Sequence, residues 1–170
     1  KTLYLTFDDG PHPVVTPFVL EQLQQYNAKA TFFCIGKNVA AHPEIYRSIL
    51  DGGHRVGNHT FNHLNGWKVT DELYLQNILS AGKYIDSNLF RPPYGKITRF
   101  QVKLLTGIRN SPVSSNFSII MWDVLSGDFD VKLSAETCSL NVIRNAQPGS
   151  VVVFHDSEKA YDRMSVALPK

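Results

Sequence analysis

Short apolar runs alternate with amphipathic stretches along this chain. Leu3-Tyr4-Leu5-Thr6-Phe7 reads as a first strand, with later strands over Ala30 to Ile35, Arg55 to Asn58, Phe117 to Trp122 and Ser150 to Phe154. Thr16-Pro17 predicts a helix start, Thr16 as N-cap and Pro17 in the first turn, with Phe18, Val19, Leu20 and Leu23 as the apolar face. Pro43 to Leu50 predicts a short helix stopped by Gly52-Gly53. Thr70 opens a longer helix, with Asp71 and Glu72 at its positive end and Leu73, Ile78, Leu79 and Ile85 facing inward. Thr98 to Leu105 and Ser134 to Asn145 complete the helices, while Gly107 to Asn116, rich in Gly, Ser, Asn and Pro, predicts a surface loop. Asn88 to Phe90 is too short to assign alone. Strand–helix alternation of this kind predicts an α/β fold, a parallel sheet covered by helices, open or closed into a barrel. Working residues in such folds lie past the C-terminal ends of the strands.

The 170 residues suffice for one domain, 1–170, with a sizeable core. Their 17 basic and 15 acidic residues leave a net charge of +2, too little to argue for nucleic acid or an anionic membrane as partner. No apolar run approaches a membrane span, and no targeting segment precedes the first strand. Cys34 and Cys138 form no CxxC pattern, and Cys34 sits in an apolar run, so both read as inert core thiols.

The strand ends carry the candidate chemistry. Asp8 and Asp9 follow the first strand, His59 and His63 the third, and Arg91 lies near Phe90. Asp123 and Asp128 follow the Phe117 run, and His155 and Asp156 the last strand. Adjacent strand residues point to opposite faces, so Asp8 and Asp9 can serve one site only if the chain bends, as Gly10-Pro11 suggests. Two close carboxylates also need a positive neighbour, a metal or an arginine. Histidines four apart meet on one face of a helical turn and can share a metal. Thr60 stands where a zincin would place its glutamate, so the base must come from Asp8 or Asp9. Asp156 and Asp128 are both candidate partners for His155. In Arg91-Pro92-Pro93-Tyr94 the first backbone donor after the proline pair is Tyr94, which suits an oxyanion contact. Arg91 can pair with a carboxylate. His12, His42 and His54 follow no such pattern and read as structural or exposed.

Taken in order, these segments resemble the motifs of the polysaccharide deacetylases, the NodB-homology domain of carbohydrate esterase family 4. Thr6 to Pro11 is similar to the first motif, His59 to His63 to the second, Arg91 to Tyr94 to the third, Trp122 to Phe129 to the fourth and Val153-Phe154-His155 to the fifth. The resemblance implies a distorted (β/α) barrel with its active site at the C-terminal strand ends. It implies one divalent metal, usually zinc, with cobalt or nickel as alternatives, bound by Asp9, His59 and His63. It makes Asp8 the general base with Arg91 as charge partner, the Tyr94 N–H an oxyanion donor, and His155 the general acid oriented by Asp128. Pro92, Trp122, Phe129 and Val153 would line the pocket. The implied substrate is an N-acetylglucosamine polysaccharide, peptidoglycan or chitin-like, and the implied location secreted, periplasmic or cell-envelope. Phe129 stands where the family usually has Trp, and Val153 where it has Leu. The chain stops soon after the fifth motif, so closure of the barrel is open. Rival readings are an acetylxylan O-deacetylase, a non-catalytic sugar-binding module on this fold, and a non-haem iron oxygenase with two histidines and a carboxylate.

Overall fold

The first strand, β1 (Tyr4–Asp8), becomes fully buried from Thr6 onward, as a central parallel strand covered on both faces must be. It pairs on one side with β2 (Ala30–Cys34) and on the other with β7 (Val151–His155). Phe7 therefore lies between Phe32 and Phe154, with ring centroids 5.1 and 6.1 Å away, at the centre of the main core. β3 (Arg55–Asn58) and β4 (Leu89–Phe90) extend the β2 side to β5 (Ser118–Ile119), and β6 (Val124–Leu125) flanks β7. The computed structural model describes residues 2–107 and 116–170. Its seven strands, in the order β5-β4-β3-β2-β1-β7-β6, pair in parallel throughout and curl into a half-barrel. Among the described residues no ladder joins β5 to β6, so the barrel is distorted and open along one seam.

Helices α1 (Val15–Gln25), α2 (Gly36–Ala41), α3 (Pro43–Asp51), α4 (Asp71–Gly82), α5 (Arg99–Leu105), α6 (Ala135–Asn145) and α7 (Glu158–Ala167) follow in chain order. The residues expected to open α4, α5 and α6 act as their N-caps. Thr70 accepts from Leu73 N–H, Thr98 forms a reciprocal box with Gln101, and Ser134 accepts from Thr137 N–H. None of the helices is long and apolar enough to cross a membrane among the described residues. Cys34 and Cys138 are buried and free.

Three expectations change, and two further helices join those expected. Thr16 is not the N-cap of α1. His12 Nδ1 accepts the N–H groups of Val14 and Val15, each at 3.2 Å, and the Thr16 hydroxyl turns inward instead. The strand expected over Phe117–Trp122 shrinks to Ser118–Ile119, because the chain then leaves β4 and crosses to the other edge as β6. That crossing puts Asp123 at the entry end of β7, where it accepts from Val151 N–H at 2.8 Å, far from the working rim. Finally, α2 and α7 had no clear periodic signal; α7 packs on α1 and α6 after β7. The loop expected over Gly107–Asn116 falls largely on residues 108–115, outside the described residues.

A second apolar cluster joins Tyr74, Ile78, Phe90, Leu105 and Phe117. Within it the Tyr74 hydroxyl is buried without a hydrogen-bond partner, a desolvation cost of roughly 1–3 kcal/mol. Tyr74→Phe is therefore expected to hold or raise the thermal midpoint; a fall of several degrees would mean the hydroxyl has a partner.

Candidate metal and catalytic site

The chain does bend after β1, at Asp9, just before the cis Gly10–Pro11 peptide bond. Asp9 is left-handed, with φ 82°, which swings its carboxylate to the side Asp8 already faces. Gly10 is required for space: a Cβ there would stand 2.0 Å from Asp156 Oδ2. The backbone of the bend is pinned by Asp9 N–H donating to Phe33 O and by Asn38 Nδ2–H donating to Asp9 O at 2.8 Å.

His59 and His63 do not lie on a helical turn. Their segment is an irregular loop in which Thr60 and His63 are both left-handed, at φ 63° and 57°. Side-chain amides hold its shape. Asn58 Oδ1 accepts from Thr60 N–H, and Asn77 Oδ1 from the N–H groups of Phe61 and Asn62. Asn77 could have been noticed as a lone amide on the inward face of α4. His59 Nδ1 lies 2.7 Å from the Arg91 carbonyl, which can only accept, so Nδ1 carries the proton and Nε2 the lone pair.

That lone pair faces Asp9 Oδ1 at 3.7 Å, and His63 Nε2 lies 3.1 Å from the same oxygen. One ligand atom from each of the three residues falls within 4.8 Å of the others. Asp9 Oδ1 is buried with no hydrogen-bond partner, an orphan that a cation would satisfy. Burial, with the neighbouring His59 adding to it against the pull of Asp9, lowers the pKa of His63 to about 4, so its imidazole is neutral at pH 7, as a ligand must be. The group could hold a metal ion, and two imidazoles with one carboxylate leave room for water and substrate.

Beside it, Asp8 Oδ1 accepts from Arg91 Nη1 at 2.7 Å, and Asp8 Oδ2 turns towards His59 Nε2 at 4.0 Å. Arg91 has no exposed surface; it also donates to Thr6 Oγ1, Ile120 O and Met121 O and packs on the Phe33 ring. Tyr94 is left-handed at φ 60°, and the following N–H groups of Gly95 and Lys96 are taken by Pro92 O and Pro93 O. Across the cleft, Asp128 is fully buried and grips His155 twice, Oδ1 on Nδ1 and Oδ2 on the backbone N–H, both at 2.7 Å. Arg163 Nε–H, which sequence reasoning missed, holds the Asp128 carbonyl. Burial alone would lower the His155 pKa. The hydrogen bond and charge of Asp128, with Asp8 and Asp9 behind it, raise it instead to about 9. Asp156 takes no part in this pair and points the other way, to Gly10 and Thr16.

These groups open into one cleft of ≈ 480 Å³. Asp8, Asp9, His59, His63 and His155 line its floor, and Pro92, Tyr94, Trp122, Phe129 and Val153 its walls. Leu125, Ser157 and Lys159 also line it and were not anticipated; no motif marks them. Residues 1–107 match the profile of the family described as polysaccharide deacetylase. The chain belongs to the polysaccharide deacetylase family.

Among its relatives is a peptidoglycan-N-acetylglucosamine deacetylase of Bacillus cereus, 38% identical over 98% of this chain and 60% of that protein's length. A chitooligosaccharide deacetylase of Azorhizobium caulinodans is 36% identical over 92% of this chain and 74% of its own length. The crystal structure of a peptidoglycan N-acetylglucosamine deacetylase aligns with TM-score 0.85 and 35% identity, over 98% of this chain and 79% of that one. The chain thus spans less than two thirds of the first of these relatives. Arg91 and Asp128 are fully buried and do not themselves line the cleft. His12 caps α1, His54 accepts from Ala30 N–H and His42 lies 3.7 Å from Glu44, all outside the site.

A proton that binds His155 more tightly in the folded than in the unfolded chain stabilises the fold fully below the ordinary pKa of about 6.5. That contribution is lost as pH climbs through about 9. In the metal-free protein, NMR titration of the His155 ring should give a midpoint near 9. Asp128→Asn should move it down by at least a unit, since burial then meets less opposition; an unmoved midpoint would deny Asp128 this role.

Proposed function

We propose that the chain is a metal-dependent hydrolase that removes N-acetyl groups from N-acetylglucosamine units of a polysaccharide, peptidoglycan or a chitin-like glycan. The observation that carries this reading is the convergence of the Asp9–His59–His63 donor cluster, Asp8 and the Asp128–His155 pair on one cleft. Relatives named for deacetylation of both glycan types support the substrate class. Acting on such a glycan sets its working place at or outside the cell envelope.

Asp9, His59 and His63 are the metal ligands in this reading, and the donor set favours zinc, with cobalt or nickel as substitutes. The ion supplies Lewis acidity towards the acetyl carbonyl and acidity to a water molecule. Asp8 is the base: Arg91 occupies its Oδ1, and Oδ2 is the oxygen turned towards the cluster, ready to take a proton from the attacking water. The new C–O bond converts the amide carbon to a tetrahedral centre whose oxyanion meets the Tyr94 N–H. Amide nitrogen leaves poorly as an anion, so it needs a proton as the C–N bond breaks. His155 supplies it from Nε2, because Nδ1 is committed to Asp128. Acetate and a free amine are the products. Pro92, Trp122, Phe129 and Val153 form the apolar wall for the acetyl methyl.

The test is acetate release from N-acetylglucosamine oligomers and from peptidoglycan, with and without chelator. Asp8→Asn is expected to lower kcat by roughly 10²–10⁴ while metal binding persists, the usual worth of a positioned base. No release by the zinc-loaded protein from any N-acetylated glycan would leave a sugar-binding module as the better reading; release only from acetylated xylan would make it an O-deacetylase.

A further inference from the structure

The mechanism leaves one buried acidic side chain unused, its pKa pushed up to about 8 by burial. Asp156 follows His155 at the exit of β7, and successive strand residues face opposite ways. His155 therefore looks into the cleft and Asp156 away from it, with no exposed surface. Its carboxylate does not line the cleft and cannot touch substrate. Both its oxygens are spent on the turn that follows the metal-site bend. Oδ1 accepts from Gly10 N–H at 3.0 Å, and Oδ2 accepts from the Thr16 hydroxyl at 2.6 Å. Thr16 in turn accepts from His12 N–H at 2.8 Å, so the carboxylate spans the chain from Gly10 to the first turn of α1. The Asp156 N–H closes the circuit by donating to Asp8 O at 3.0 Å. The fit leaves no slack, since a Cβ on Gly10 would strike the carboxylate at 2.0 Å from Oδ2 and 2.5 Å from its carbon. Gly10 does not need glycine's dihedral freedom, because its φ is not positive.

We infer that Asp156, with Thr16 and Gly10, is a positioning clamp that holds Asp9 in its left-handed conformation and so sets the affinity of the Asp9–His59–His63 cluster for its cation. The clamp also ties the strand that carries His155 to the bend that carries Asp8 and Asp9. This inference rests on the metal site proposed above. A left-handed aspartate is held only where its surroundings over-determine it, and Asp156 grips the peptide that immediately follows.

The test is calorimetric titration of the metal-free protein with Zn²⁺, with a thermal melt of each metal-free variant as the check on folding. Removing the partner that orients a ligand weakens metal affinity by roughly 10–100-fold, and that loss is expected for Asp156→Ala. Asp156→Asn keeps an oxygen for Gly10 N–H and offers an N–H to Thr16, so it should stay within about threefold of wild type. Gly10→Ala should weaken binding much as Asp156→Ala does. The double variant Gly10→Ala/Asp156→Ala should be no worse than the poorer single one, because both act through one contact. If Asp156→Ala does not fold, Thr16→Val takes its place, with a several-fold loss expected. Wild-type affinity in Asp156→Ala (or in Thr16→Val read in its place), equal losses in Asp156→Asn and Asp156→Ala, or additive losses in the double variant would each overturn the clamp. A wild-type protein that binds no Zn²⁺ would instead overturn the metal site itself.

Discussion

The whole site hangs on one buried guanidinium. Arg91 leaves the short strand β4 and reaches across the barrel interior to Thr6 and Asp8 on β1 and to the carbonyls of Ile120 and Met121. Those carbonyls belong to the segment that leaves β5 towards β6, so the side chain ties that connection to β1. Its own carbonyl takes the Nδ1 proton of His59, and its N–H binds Asn58 O. One residue thus fixes the tautomer of His59 and occupies one oxygen of Asp8. A charge without solvent contact survives because Asp8 lies 2.7 Å away and four of its five side-chain N–H groups have acceptors among the described residues. Breaking such a pair costs about 3–5 kcal/mol, more than most surface contacts together.

Around this hub the backbone is strained in a concentrated way. Among the described residues, three of the five left-handed non-glycine residues, Asp9, His63 and Tyr94, line the cleft, and a fourth, Thr60, is buried next to the cleft residue His59. Each costs on the order of 1 kcal/mol or more; side chains outside the cleft lining brace Asp9 and the histidine loop, and backbone bonds to Pro92 O and Pro93 O close the turn at Tyr94. Asn38 braces Asp9, and Asn58 and Asn77 brace the histidine loop. Rigidity at the strand ends is what allows two adjacent carboxylates and two histidines to share a space only a few ångströms across.

The two sides of the cleft are electrostatically distinct. On one, burial strips His63 of its proton and leaves a neutral donor beside an orphaned Asp9 oxygen. On the other, Asp128 overcomes burial and keeps His155 charged at neutral pH. The same side-chain type is neutral in one place and protonated in the other; burial dominates at His63, and the Asp128 hydrogen bond and charge overcome it at His155.

Local chemistry was legible in the chain itself: alternating periodicity announced the parallel sheet, and strand ends announced Asp8, Asp9, His59, His63, Arg91, Asp128 and His155. Residue types and their order survive in one dimension because periodicity and capping act over a few residues. What tertiary structure alone decided was which atom meets which. That Asp128 rather than Asp156 pairs with His155, and that Asp123 is carried to the far end of the sheet, both depend on partners far along the chain. Asp8 meets Arg91 across 83 positions and Thr16 meets Asp156 across 140. Thr16 read as a helix cap because its local pattern was right; a buried carboxylate from the last strand competed for its hydroxyl and won. Contacts of that range leave no periodic trace, since their energy comes from desolvated geometry that exists only once the sheet has curled.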